Sequence, residues 1–254
     1  MTEDGDTLAR ERDIIQAFLD LSNELVDDYD VVEMLSRLTT NCAEILDIGS
    51  AGLLLADDRG LLHLVASSSE RTQLLELFQL QREQGPCLDC FRDGRTVVAP
   101  DLATLEERWP QFAEAARTVG FASVHALPMR LRNSVLGTLG LFGEADGRLD
   151  DEDLALAQAL VHVASVALVN QKAAADRTMV NEQLQHALTS RIVVEQAKGV
   201  VAHTGGMDMD VAFDVLRHYA RAHGRKLTEV ASEVVRRTLS GEELLRHARE
   251  PERP

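Results

Sequence analysis

One change of period divides this sequence. Between Ala51 and Phe142 the apolar residues come in short runs broken by turn residues, the mark of strands, and from Asp150 onward they recur every three or four positions, the mark of helices. A chain whose strand signals end at Phe142, with only helical spacing after Asp150, folds as two bodies of different class: an α+β domain and then an all-α one. Its 254 residues are enough for each body to bury a core of its own.

The strand-rich part opens with an acidic stretch, Thr2-Glu3-Asp4-Gly5-Asp6, and residues 1–9 are expected to be disordered. The spacing of Leu8, Ile14, Ile15, Phe18, Leu21 and Leu25 predicts an amphipathic helix over 7–27, and a second helix follows over Val31–Leu46. Ala51–Ala56, the turn Asp57-Asp58-Arg59-Gly60 and Leu61–Ala66 read as a hairpin. A helix over Glu70–Arg82 stops at Gly85-Pro86. Thr96–Ala99 gives a third strand, and one helix is expected over Leu105–Val119, with Pro110 tolerated near its first turns. Phe121–Leu131 and Val135–Phe142, joined by Arg132-Asn133-Ser134, close an antiparallel sheet of about five strands flanked by helices.

Gly85-Pro86-Cys87, Val97 to Asp101, Gly120-Phe121 and Ala126-Leu127-Pro128-Met129 leading to Val135-Leu136-Gly137-Thr138-Leu139 resemble a GAF domain, over residues 10–172. The resemblance implies a sensing and dimerising module with an unknown small-molecule ligand. The Asn-Lys-x-Phe signature of its cyclic-nucleotide-binding members does not occur here. Cys87, His63 and His125 are conceivable cofactor ligands, but a lone His or Cys is more often a packed or surface residue. No cofactor is expected. Cys87-Leu88-Asp89-Cys90 is the most chemically suggestive spot, a Cys-x-x-Cys at a helix start that would suit a redox pair. A zinc site would need a second ligand pair, which the sequence lacks, so no metal is expected. Packing under the sheet is the plainer role for both thiols.

Beyond Asp150, Leu154, Ala157, Val161, Ala164, Leu168, Gln171 and Ala175 follow a seven-residue spacing, and Val180, Leu184, Leu188 and Ile192 carry an apolar face onward. This predicts a connecting helix over 150–190 whose first turns pack back onto the sheet of their own chain and whose further length pairs two copies in a parallel homodimer. His186 invites comparison with sensor kinases, but too little chain follows for an ATP-binding domain.

The last block reads as three short helices. Gly205-Gly206 then Asp208 give a stop and an N-cap, Gly224 ends the second helix, and Phe213, Leu216 and Ala220, then Leu227, Val230, Ala231 and Val234, supply inner faces. Net charge is −16, yet residues 190–254 hold 11 basic and 10 acidic side chains, so the acid lies upstream. Arg217 and Arg221 share a helix face, with Arg225 and Lys226 just beyond it, a cluster suited to phosphate.

Glu195-Gln196-Ala197-Lys198-Gly199, Ala212-Phe213, Leu216-Arg217, Tyr219-Ala220-Arg221, Lys226-Leu227 and Val230-Ala231 together resemble the ANTAR domain, an RNA-binding module of transcription antitermination regulators, over 180–240. Residues 241–254 are left as a tail. The resemblance implies binding to pairs of hairpins in nascent leader transcripts, so that a terminator fails to form. Ala197, Lys198, Arg217, Tyr219, Ala220, Arg221, Arg225 and Lys226 are the candidate RNA-binding residues: Tyr219 to stack, the alanines to allow close approach, the cations to hold phosphates. Two other readings stay open: a DNA-binding regulator using the last helices, and a GAF-fold thiol enzyme using Cys87 and Cys90. The free cysteines, the missing signal peptide and the absence of an apolar run of bilayer length predict a cytoplasmic protein without a membrane partner.

Overall fold

A computed structural model describes residues 3–23, 30–132, 134–170 and 177–249. It divides into two compact units, residues 1–28 with 34–185, and residues 29–33 with 186–254.

The first unit is built on a five-stranded antiparallel sheet of order β2-β1-β5-β4-β3, made by β1 (Ser50–Ala56), β2 (Leu62–Ser67), β3 (Val97–Ala99), β4 (Ser123–Leu131) and β5 (Ser134–Gly143). Asp57 fixes the β1–β2 turn, its Oδ1 accepting the N–H groups of Arg59 and Leu61 at 2.9 Å each. The helices are α1 (Glu3–Asn23), α2 (Val31–Ile45), α3 (Glu70–Arg82), α4 (Pro86–Asp93), α5 (Leu102–Arg108), α6 (Pro110–Val119) and α7 (Asp151–Asn170).

Strand alternation sorts the core into two faces. Leu54, Ala56, Val124, Ala126 and Phe142 point to one, where they pack with Leu75 of α3, Cys87 and Cys90 of α4 and Phe112 of α6. Leu127, Met129, Leu139 and Leu141 are also buried but one residue out of phase, and α7 lies against β4. The β4 residue Pro128 accepts a hydrogen bond from Gln158 of α7 at 3.2 Å.

Three expectations change here. First, α1 starts at Glu3, inside the stretch expected to be disordered. Second, the helix expected over 105–119 is two helices. Trp109 precedes a proline, whose ring crowds the α conformation, and it sits at φ −141°, ψ 72° between α5 and α6. Its indole stays in the core and donates to Asp89 Oδ2 at 3.0 Å. Third, residues 151–169 of α7 do form a helix long and apolar enough to cross a membrane, contrary to the reading above. That apolarity is used at home: Ala157, Leu160, Val161, Ala164, Ala167 and Leu168 are buried within the chain. Part of the seam expected to pair two copies is thereby covered. Leu25, Gln171 and Ala175, and the side chains of Leu8, Val180, Leu184 and His186, lie outside the described residues.

The second unit takes α8 (Arg177–Gly205) from residue 186 on, with α9 (Met209–Ala222), α10 (Leu227–Val235) and α11 (Gly241–Arg249). Its core joins Val194, Ala197 and Val201 of α8 to Ala212, Leu216 and Ala220 of α9 and to Leu227, Val230, Ala231 and Val234 of α10. Instead of a tail after residue 240 there is a fourth helix, which adds Leu244 and Leu245 to that core. A further member, Val32, comes from the first turn of α2.

Candidate nucleic-acid interface

The motif from Glu195 to Gly199 spans more than one turn of α8, so its residues cannot all face one way. Ala197 is fully buried and Lys198 is 6% exposed. Glu195 holds two cations along the same side, Arg191 at 2.8 Å and Lys198 Nζ at 3.2 Å, and Lys198 also lies 5.4 Å from the Phe213 ring centroid. Burial lowers the pKa of Arg191, and the Glu195 carboxylate works against that shift. Lys198 and Ala197 therefore belong to the interior of the bundle. The outward face carries Ile192, 59% exposed, with Gln196, Val200 and His203 at helical spacing, and there is open space around Gly199. From the sequence Ile192 reads as part of the apolar face of the connecting helix, and Gln196 and Gly199 only as motif residues; none of these residues reads as an RNA contact.

On α9 the candidates divide again. Ala220 is fully buried and Tyr219 nearly so, its ring stacked on His223 at 4.1 Å between centroids and edge-on to His247 of α11 at 5.3 Å. His223 Nδ1 lies 2.9 Å from the Tyr219 carbonyl, which fixes that ring. Tyr219 thus already has aromatic partners inside the unit. Arg217 is half-buried and Arg221 exposed.

Arg225 and Lys226 lie between α9 and α10. Arg225 meets Glu233 of α10 through two parallel bonds of 2.9 and 2.8 Å. The hydrogen bonds to Glu233 raise the Arg225 pKa, and those from Arg225 lower that of Glu233. This is a packing reason for one cation of the cluster that the sequence did not disclose: it staples the loop to α10. Lys226 is half-buried at the N-cap of α10 and makes no side-chain cap bond there.

The cap comes from Asp30. Its Oδ2 accepts the N–H of Thr228 at 2.7 Å and the Thr228 hydroxyl at 2.6 Å. Glu33, one turn along, takes Arg221 Nε at 3.0 Å and a terminal nitrogen at 2.9 Å. Together these bonds make a corner of oriented donors, the guanidinium of Arg221 and the first turn of α10, that holds two carboxylates.

In the first unit, Cys87 and Cys90 are free, buried thiols. Burial pushes Cys90 up to about 12 and Cys87 well above 9, the latter with help from Glu76 and Cys90. That is the reverse of an activated thiol, whose pKa is lowered by an electropositive, partly exposed setting. Among the described residues no group of three or more His, Cys, Asp or Glu is arranged to hold a metal. Glu76 was not singled out from the sequence. It is fully buried, accepts a bond from Gln79 Nε2, and lies 3.6 Å from the Cys87 thiol, which donates to it. It fits because Gly52 and Gly140 face it: a Cβ on either would stand 2.9 or 2.8 Å from Glu76 Oε1. A cavity of about 440 Å³ opens elsewhere on this unit, lined by Asp47, Ser123, His125, Glu144 and Arg148 among others. His125 Nε2 accepts the Leu149 N–H at 3.1 Å, so the ring proton sits on Nδ1, which is buried without a partner.

With the geometry in place, the comparisons assign the class. A sequence model of the GAF domain matches residues 28–169, and one of the ANTAR domain matches residues 182–235. The chain belongs to the GAF-domain family and carries an ANTAR domain behind its sensor. An ANTAR domain marks an RNA-binding antitermination regulator and a GAF domain a sensor, so the class is a sensor-linked regulator of transcription. Both domains are in general non-enzymatic, although some proteins of similar GAF fold are enzymes.

Solved structures similar to the chain include the GAF domain of an Acinetobacter phosphoenolpyruvate-protein phosphotransferase, 13% identical, covering 69% of this chain and 94% of that one, TM-score 0.47. A GAF domain/HD domain protein from Geobacter sulfurreducens is 19% identical, covering 65% and 98%, TM-score 0.46. The free methionine-R-sulfoxide reductase of Neisseria meningitidis is 16% identical, covering 70% and 91%, TM-score 0.45. No curated protein matches the chain at a significant level.

Proposed function

We propose that this chain is a cytoplasmic, non-catalytic regulator that captures paired hairpins in nascent transcripts, and that a signal received by residues 10–172 controls that capture. The observation that carries the reading is the corner of Arg221 and Thr228, where a guanidinium, a backbone N–H and a hydroxyl already hold carboxylates. Phosphate oxygens ask for the same donors. Arg217 lies one turn from Arg221 on α9, and Lys226 stands at the start of α10, so three cations fall within ten residues.

Hairpin loops suit such a surface, because their unstacked bases admit side chains that a closed A-form helix excludes. The apolar and small residues on the outward face of α8, Ile192, Gly199 and Val200, supply a second contact for bases. Two hairpins call for two bundles, so the active species is a homodimer joined through the connecting helix, and the signal acts by shifting the balance of dimer arrangements. The burial of Cys87 and Cys90, which disfavours their thiolates, supports reading them as core residues and weighs against a thiol enzyme. The inner face of the sheet above Gly52 and Gly140 is filled by Glu76, so a sensed ligand is better sought at the cavity beside His125.

The test is Arg217→Ala with Arg221→Ala, assayed by gel shift on a double stem–loop RNA selected by the parent chain from a pool with randomised loops. The double variant should keep the parent's helical content, lose most of its affinity, and flatten the dependence of log K on log salt by about two. Unchanged affinity at moderate salt would place the binding face elsewhere.

A further inference from the structure

Residues 30–33 sit on the α9–α10 corner in a way their own helix does not require. An N-cap residue needs one side-chain oxygen for the helix that follows it. Asp30 does this with Oδ1, which accepts the N–H groups of Val32 at 3.0 Å and Glu33 at 3.2 Å at the start of α2. Its second oxygen is spent on Thr228 of α10, at 2.7 and 2.6 Å. Val32, fully buried, then joins the core of Leu216, Leu227 and Val230. Glu33 completes the arrangement by taking both Arg221 bonds on one oxygen, at 3.0 and 2.9 Å. The segment is thus a plug with an apolar pin between two carboxylates.

Each carboxylate occupies a donor set that a phosphate would use: helix N-terminal N–H and hydroxyl for one, guanidinium for the other. The occupants differ in strength. Asp30 is almost fully buried, whereas Arg221 keeps 51% of its side chain exposed in its pair with Glu33, so that pair is open to screening and exchange.

We propose that Asp30 and Glu33 are an internal acidic substitute for RNA phosphate, holding Arg221 and the start of α10 in a self-occupied state that RNA must displace. The proposal rests on the RNA-binding reading above and adds its regulation: the 30–33 segment competes with transcript for the same donors. Release of the segment frees the corner, and any influence that weakens its seat raises RNA affinity.

The experiment measures affinity for the selected double stem–loop RNA across a salt series, in the full chain, for the parent, Glu33→Gln, Arg221→Ala and the double variant. Glu33→Gln leaves the α2 cap and the Val32 pin in place, and circular dichroism melting checks that the fold is kept. The expected result is about a two- to fivefold gain in affinity for Glu33→Gln. The salt slope should stay close to the parent's, because Arg221 engages a phosphate in the complex of parent and variant alike. The gain should vanish when Arg221→Ala is also present. A Glu33→Gln variant that melts like the parent and binds no tighter, or whose gain survives Arg221→Ala, overturns the substitution idea and leaves the contact as a cap, with the RNA reading intact. Failure of the parent and Glu33→Gln alike to select any RNA removes the RNA reading itself, and this proposal with it.

Discussion

Glu76 is a carboxyl whose described partners, Gln79 and Cys87, are both neutral groups. Burial raises its pKa from 4.5 to about 8, with the bonds from Cys87 and Gln79 opposing. The folded state therefore holds the proton more tightly than the unfolded chain, and the stability this gives is fully present below pH 4.5 and lost as pH rises to about 8. His125 works in the opposite sense. Burial, and then Arg148, lower its pKa from 6.5 to about 4, so its contribution is present above pH 6.5 and lost as pH falls toward 4. Between 4.5 and 6.5 the two slopes oppose each other. Above 6.5, of these two groups only Glu76 acts, and the first unit should lose on the order of 2 kcal/mol between pH 6.5 and 8. Urea unfolding followed by the fluorescence of Trp109, the single tryptophan, reads this unit. Glu76→Gln should flatten the decline, and a decline of the same steepness in that variant would assign it to another group. From the sequence, Cys87 and Cys90 drew attention because their spacing is local. Glu76 did not, because what buries it is the missing Cβ of Gly52 and Gly140, on strands far from it in the chain.

Among the elements, α11 shows how a helix can be overlooked. Ser240-Gly241-Glu242-Glu243 has the Ser-x-x-Glu form of a capping box, and Ser240 Oγ accepts the Glu243 N–H at 3.2 Å. The apolar residues behind it are few, Leu244 and Leu245 side by side, so periodicity gave no warning. Tertiary burial makes the helix: Leu244 is fully buried, and His247 packs on His223 and Tyr219 of α9. Leu244→Ala should destabilise the second unit by about 2–4 kcal/mol, the transfer loss plus a cavity. Loss of ellipticity should then come at lower urea while the Trp109 signal holds its midpoint. Coincident shifts in both signals, or none, would refute an independent role for α11 in the bundle. The break at Trp109-Pro110 is the converse case. A proline in a first turn is compatible with one helix or two, and the choice fell to Trp109, whose ring gains the core and Asp89 by leaving the helical conformation.

For the whole chain, the order of an α+β sensor followed by a helical ANTAR domain was legible because it depends on period and local motif, both properties of neighbouring residues. The candidate site was legible only in outline. Charge clustering located Arg217, Arg221, Arg225 and Lys226, but not that Glu233 binds Arg225 or that Glu33 binds Arg221. The Glu33 pair spans 188 residues of sequence, and no periodicity reports a contact of that range. Ala197, Lys198 and Ala220 belonged to the matching motif and prove to be interior, which assigns that part of the motif to holding the helices together. Whether the assembled protein reads RNA through paired hairpins is decided by sequencing the RNA crosslinked to it in cells. Reads should concentrate on pairs of short hairpins upstream of terminators, and be depleted in the Arg217→Ala, Arg221→Ala variant. Reads scattered without a shared hairpin pair, or a crosslinked fraction consisting of DNA, would overturn the proposed function.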